Sequence, residues 1–182
     1  MGRDCDTARR AKYRGGVTFR FRRMSDAEAQ TIAGWHYDGP YAFYDWTADA
    51  DDLAELLSSE RRGDRYFSAL GEDGELLGFL GLRHEGEDVV IGLGLRPDLT
   101  GRGLGLGYVE AGMAFARSHF APSRFRLSVA TFNQRAIRVY ERAGFQTIRA
   151  YDHQTIRAYD HETNGGVHPF IEMARDATAQ SP

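Results

Sequence analysis

The chain has 182 residues, enough for one ordinary domain, and its 42% hydrophobic and 27% charged content fits a water-facing surface around a real core. A net charge of −3 argues against the broad basic face of a general nucleic-acid binder, and no apolar run reaches the ~20 residues of a membrane-spanning helix. The single cysteine, Cys5, has no partner for an internal disulfide, which suits a reducing, cytoplasmic setting.

Met1 to Gly16 is polar, basic and without periodicity, lacks the apolar centre of a secretory signal, and reads as a disordered lead. Val17 to Arg22 alternates with period two, the mark of a strand with one buried face. Ser25 and Glu28 have the capping-box spacing and predict a helix to about Trp35. From Trp35 to Trp46 the chain is dense in aromatics, and Gly39-Pro40 argues for an irregular loop. Asp51 to Ser58 reads as a short helix, with Glu55, Glu60, Arg61 and Arg62 as a solvated face. Next comes a meander of strands at Tyr66–Leu70, Leu76–Arg83 and Asp88–Leu95, joined by turns at Glu72–Glu75 and Glu85–Glu87. A long helix from Gly103 to about Phe120, a strand Arg124–Ala130, a helix Gln134–Ala143 and two more strands end the domain near Arg175, leaving Asp176–Pro182 as a tail. Antiparallel strands followed by a strand–helix–strand crossover predict a single α/β domain over residues 17–175, with a mixed, mostly antiparallel, twisted sheet.

One segment is duplicated: Gln146–His153 recurs unchanged as Gln154–His161. The unit is too short for a solenoid repeat. Side chains alternate with period two in a strand, so an eight-residue insertion leaves later residues on their original faces. Either copy can therefore pair with the final strand, Val167–Met173. The surplus copy is expected to form an extended arm or an exchanged strand in a homodimer.

The richest chemical signal is Leu99-Thr100-Gly101-Arg102-Gly103-Leu104-Gly105-Leu106, which follows the strand Asp88–Leu95 and opens a helix. Pro97 ends that strand, glycines let a ligand lie against the backbone, and a helix start offers unpaired N–H groups and a positive dipole end. Together these make an anion site suited to a pyrophosphate, with Arg102 adding charge at the rim. Two better-known phosphate loops are excluded. Leu106 stands where a dinucleotide fingerprint needs glycine, and no Gly-Lys-Ser/Thr run exists for a P-loop. Further on, Asn133 is a good N-cap and Gly144 a good residue to end a helix. Asn133 and Tyr140 are seven residues apart, so one helix face carries both an amide and a phenol. By themselves, Asn133 reads first as a simple cap and Tyr140 as a core-edge phenol.

These two motifs together resemble the GNAT superfamily of N-acetyltransferases, in particular its bacterial acetyl-CoA-dependent members. The family signature Arg/Gln-x-x-Gly-x-Gly/Ala falls on Thr100 to Gly105, departing only at Thr100. The resemblance implies a seven-stranded sheet with about four helices, splayed between its fourth and fifth strands. It implies a cofactor, acetyl-CoA, held by Gly101, Arg102, Gly103, Leu104, Gly105 and Leu106, with Asn133 on the pantetheine arm. It further implies that backbone amides near Leu93, Gly94 and Leu95 polarise the thioester carbonyl, and that Tyr140 protonates the departing thiolate. Gly92 and Gly94 suggest a bulge that opens the sheet. Some relatives place a glutamate on the fifth strand as base; here that position is Ser128, leaving a water relay, Asp45 or His36 for the role. By its position in the family, the aromatic segment covers the acceptor, making His36, Tyr37, Tyr41, Tyr44 and Asp45 the acceptor-pocket residues. The expected acceptor is a primary amine on a small molecule or peptide, with drug, polyamine, amino acid and peptide all open. The alternative is a module of the same fold that binds acetyl-CoA or a partner protein without turnover. The histidines show no metal-ligand spacing, so no metal is expected, and neither nucleic acid nor membrane is an expected partner.

Overall fold

Strands and short turns assemble into one seven-stranded sheet in the computed structural model, which describes residues 17–154 and 167–179. In chain order the strands are β1 (Arg20–Arg23), β2 (Tyr66–Leu70), β3 (Leu76–Glu85), β4 (Asp88–Leu95), β5 (Arg124–Ala130), β6 (Gln146–Gln154) and β7 (Val167–Asp176). Their spatial order is β1-β2-β3-β4-β5-β7-β6, and every neighbouring pair is antiparallel except β4 and β5. That parallel pair is also short: Asp88↔Arg124, Val89↔Phe125 and Val90↔Arg126 make up its ladder. Beyond Val90 the strands part, so the expected splay is present. Ion pairs tie its root, with Arg124 Nη2 at 2.7 Å from Asp88 Oδ2 and Arg126 Nη1 at 3.1 Å from Glu85 Oε2.

The bulge expected at Gly92 and Gly94 does not form. The β3–β4 register runs unbroken from Glu85↔Asp88 to Gly78↔Leu95. Gly94 answers a need for space: a Cβ there would lie 2.5 Å from Phe79 Cε1. The sheet opens because the β5 ladder ends, not because β4 buckles.

Among the described residues five α-helices lie against the sheet: α1 (Asp26–Ala33), α2 (Ala50–Leu57), α3 (Ser59–Arg62), α4 (Gly105–Phe120) and α5 (Gln134–Arg142). The Ser25–Glu28 capping box forms, and α1 ends at Gly34, just short of the predicted limit. α4 and α5 bury one sheet face, where Val109, Met113 and Ile137 meet Leu80, Leu82, Ile91, Phe125 and Val129. At the β2–β3 end of the other face, Ile32 and Leu56 pack with Trp35, Trp46 and Phe79.

Three further expectations need correction. The aromatic segment is not irregular: Gly39–Tyr44 and Trp46–Ala48 form 3-10 helices. Pro40 sits in the first turn of the first, where its missing N–H leaves no bond unmade. Arg62 is not solvated but 4% exposed, donating from Nη1 to Leu56 O at 2.6 Å and pairing with Asp26. It escapes the outer face because α2 stops at Leu57 and α3 starts a new axis. Glu55 likewise accepts from Tyr66 Oη at 3.0 Å and pairs with Arg65. The presumed tail begins packed: Ala177 is buried, and Arg117 Nε donates to its carbonyl at 2.6 Å.

The first copy of the duplication occupies β6, pairing from Gln146↔Ala174 to Gln154↔Val167. Apart from Gln154, the second copy lies outside the described residues, as do the arm and exchanged strand expected of it and the lead at Met1–Gly16.

Candidate active site

The glycine loop forms an open cradle. Gly101 and Gly103 sit at φ +76° and +80°, a region that favours glycine, and a Cβ on either would meet nothing within 4 Å. Helix α4 starts at Gly105, two residues later than predicted, and its N-cap, Leu104, offers no side-chain cap. The first N–H groups of α4 are thus left to an outside acceptor. Leu104 and Leu106 pack their side chains into the core and offer only backbone. Arg102 is exposed. Thr100 turns inward, its Oγ1 donating to Pro97 O at 2.7 Å. The one departure from the signature therefore tightens the turn and leaves the glycines unobstructed.

The splay supplies a second set of backbone groups. Arg96 N–H bonds Leu77 O across β3 at 2.8 Å. N–H groups alternate sides along a strand, so those of Leu93 and Leu95 turn the other way, into the gap beside β5. Gly94 N–H faces β3, which removes it from the predicted trio. Its carbonyl accepts from Tyr108 Oη at 3.3 Å, and the same hydroxyl donates to Phe79 O at 2.5 Å. Tyr108, on α4 and fully buried, was missed in the sequence. Its signal was a phenol among small and apolar neighbours, where a buried hydroxyl needs a partner.

Asn133 caps α5, its Oδ1 accepting from Ala136 N–H at 3.1 Å, while its side chain also bonds the Tyr44 hydroxyl. Both its functions in the structure are internal. Asn133→Ala should lower stability by about 1 kcal/mol through the lost cap, read as a drop in Tm. Tyr140 lies on α5 beyond the cap, half-buried, with its ring against Phe145 at 6.1 Å. Burial first, and the nearby Tyr44 second, push its phenol well above the ordinary value. It is therefore a protonated donor throughout the neutral range.

Both halves meet in one cleft of about 830 Å³, lined by Gly101, Gly103, Gly105, Leu106, Leu93–Leu95, Asn133 and Tyr140, and by Tyr37, Tyr41, Tyr44 and Asp45. Of the predicted residues, His36, Arg102 and Leu104 do not line it. His36 stands exposed behind Asp45, Nδ1 to Oδ2 at 2.9 Å, and the other Asp45 oxygen accepts from Tyr37 N–H at 2.9 Å. Tyr41 lies under the Arg135 guanidinium, 4.1 Å from ring centre to Cζ. Burial, with Asp45 adding, raises the Tyr37 phenol to about 12. Ser128 faces the cleft from β5 and pairs in register with Glu172 of β7, a buried carboxylate also missed in the sequence, held by Arg126 and by Arg149 at 3.3 Å. Its partner strand lies 44 residues downstream of Ser128, beyond any local pattern. Among the described residues no group of three or more His, Cys, Asp or Glu could hold a metal ion, and no helix is long and apolar enough to cross a membrane.

Residues 24–145 match the model of the Acetyltransferase (GNAT) family. The chain belongs to that family. Over 103 residues this GNAT chain is 34% identical to a mycothiol acetyltransferase of Streptomyces coelicolor, an overlap of 52% of the chain and 33% of the relative. A mycothiol acetyltransferase of Streptomyces avermitilis is 33% identical over the same span. The chain therefore spans about a third of the length of the curated relatives it matches. Among solved structures, a spermidine N-acetyltransferase chimera from Vibrio cholerae and hSSAT superposes with a TM-score of 0.69 at 16% identity, covering 88% of this chain and 96% of that one. A Vibrio cholerae spermidine N-acetyltransferase in complex with CoA and spermine gives 0.65 at 15% identity, over 88% and 96% of the two chains. At these identities the likeness is one of fold.

Proposed function

We propose that this GNAT protein is an acetyl-CoA-dependent N-acetyltransferase that acetylates a primary amine of a small molecule or peptide by direct attack. The observation that carries the reading is one cleft uniting three groups: the open cradle at Gly101 and Gly103, the gap-facing amides of Leu93 and Leu95, and the Tyr140 hydroxyl. The residues present fit the cofactor, since the two loop glycines leave space that any Cβ would enter, and the uncapped α4 start offers N–H donors to a pyrophosphate. Bound there, acetyl-CoA supplies an activated acetyl thioester. Leu93 and Leu95 N–H then stabilise the negative charge that develops on the carbonyl oxygen as the amine forms its bond to carbon. Tyr140 gives its proton to the sulfur as the carbon–sulfur bond breaks. The Asp45–His36 pair takes the proton of the attacking amine, because Asp45 lines the cleft and is bonded to an exposed imidazole that passes charge to solvent. The Ser128 hydroxyl is too weak a base for that step.

Release of free thiol from acetyl-CoA, followed against diamines, amino acids, amino sugars and peptides, tests the reading. Acceptor-dependent release is expected. Binding of acetyl-CoA by calorimetry without release toward any acceptor would instead leave a non-catalytic binding module.

A further inference from the structure

The β4–β5 ladder stops at Val90↔Arg126, so each strand presents an edge to the gap. Two phenols of one short segment close one group on each edge. On the β4 side, Tyr37 Oη donates to Leu95 O at 2.8 Å. On the β5 side, Ala130 N–H donates to Tyr44 Oη at 3.1 Å. Thr131 N–H bonds Pro169 O on β7, so by alternation Ala130 N–H points away from β7 and into the gap. The Asn133 side chain bonds the Tyr44 oxygen as well, which ties this latch to the cap of α5. Asp45 N-terminally anchors the same segment by holding Tyr37 N–H at 2.9 Å.

We infer that Tyr37 and Tyr44 are positioning residues of the thioester gap, standing in for the missing ladder bonds and fixing the two strand edges apart. The inference rests on the acetyltransferase reading only for what enters the gap. Their rings line the cleft, while the Tyr37 hydroxyl donates to the Leu95 carbonyl and the Tyr44 oxygen accepts from Ala130 N–H and the Asn133 side chain. The arrangement also decides which groups stay open. At residue 95 the carbonyl is closed by Tyr37, while the N–H beside it remains for a carbonyl oxygen. An unscreened carbonyl at that point would repel the developing oxyanion.

Tyr37→Phe and Tyr44→Phe in the full chain remove one oxygen each and keep the rings. Each should weaken acetyl-CoA binding by about three- to tenfold in calorimetry, the range of one net hydrogen bond. The acceptor's Michaelis constant should stay within about twofold, a split that a general loss of stability does not produce. Tyr44→Phe should also speed hydrogen exchange at the Ala130 amide, measured by NMR without ligand. Unchanged affinity together with unchanged Ala130 exchange would overturn the inference, as would a rise confined to the acceptor's constant. Should Tyr44→Phe not fold, Tyr37→Phe carries the affinity test alone. Failure of the wild-type protein to bind acetyl-CoA would strike the functional reading, while Ala130 exchange would still decide whether the latch exists.

Discussion

Gly103→Glu is expected to abolish acetyl-CoA binding while the domain stays folded. The cradle is exposed, and a side chain on Gly103 meets no neighbour, so the substitution disturbs no packing. It does force a non-glycine residue to φ +80°, which costs about 1–2 kcal/mol locally. The larger effect is charge. A carboxylate about 4 Å from a phosphate opposes it by about 4 kcal/mol at a surface-like dielectric, roughly a thousandfold in affinity. Gly103→Ala carries the same backbone strain without the charge and separates the two causes. Calorimetry should show Gly103→Ala weakened modestly and Gly103→Glu silent; equal affinities for wild type and Gly103→Glu would remove the loop from the cofactor site.

Tyr140→Phe should lower kcat by roughly a hundredfold or more, within the ~10²–10⁴ that a positioned general acid contributes. The ring remains, so affinity for acetyl-CoA should hold. Because burial and Tyr44 raise the Tyr140 phenol, its donor form is full below its raised pKa and is lost only as pH climbs through it. The wild-type rate should therefore show no fall as pH passes ~10, the ordinary phenol value. A descent centred there, or full turnover by Tyr140→Phe, would assign the proton to another donor.

What the sequence made legible was local in character. β4 and β5 fall on the predicted bounds because an apolar alternation closed by a proline or an asparagine cap needs only a few residues to read. The glycine cradle and the Asn133–Tyr140 spacing were likewise visible. What escaped depends on partners far along the chain. Tyr37 bonds a carbonyl 58 residues away and Tyr44 an amide 86 residues away, and no short pattern marks either phenol as a clasp and not a pocket wall. Arg62 read as solvated because its burial depends on where α2 ends and on Asp26, 36 residues upstream. The misplaced bulge has the same root. Gly94 looked like a backbone device, yet its hydrogen side chain makes way for Phe79, fixed by strand register.

Strand order carries one more lesson, about evolutionary tolerance. β6 lies at the outer margin of the sheet, with β7 between it and β5. A duplicated octapeptide arriving there changes length at the margin, while the first copy keeps its pairing with β7. The same insertion within β4 would have carried Leu93 and Leu95 away from the glycine cradle only a few residues on. The duplication thus falls at the opposite end of the strand order from β1, two strands removed from the β4–β5 gap.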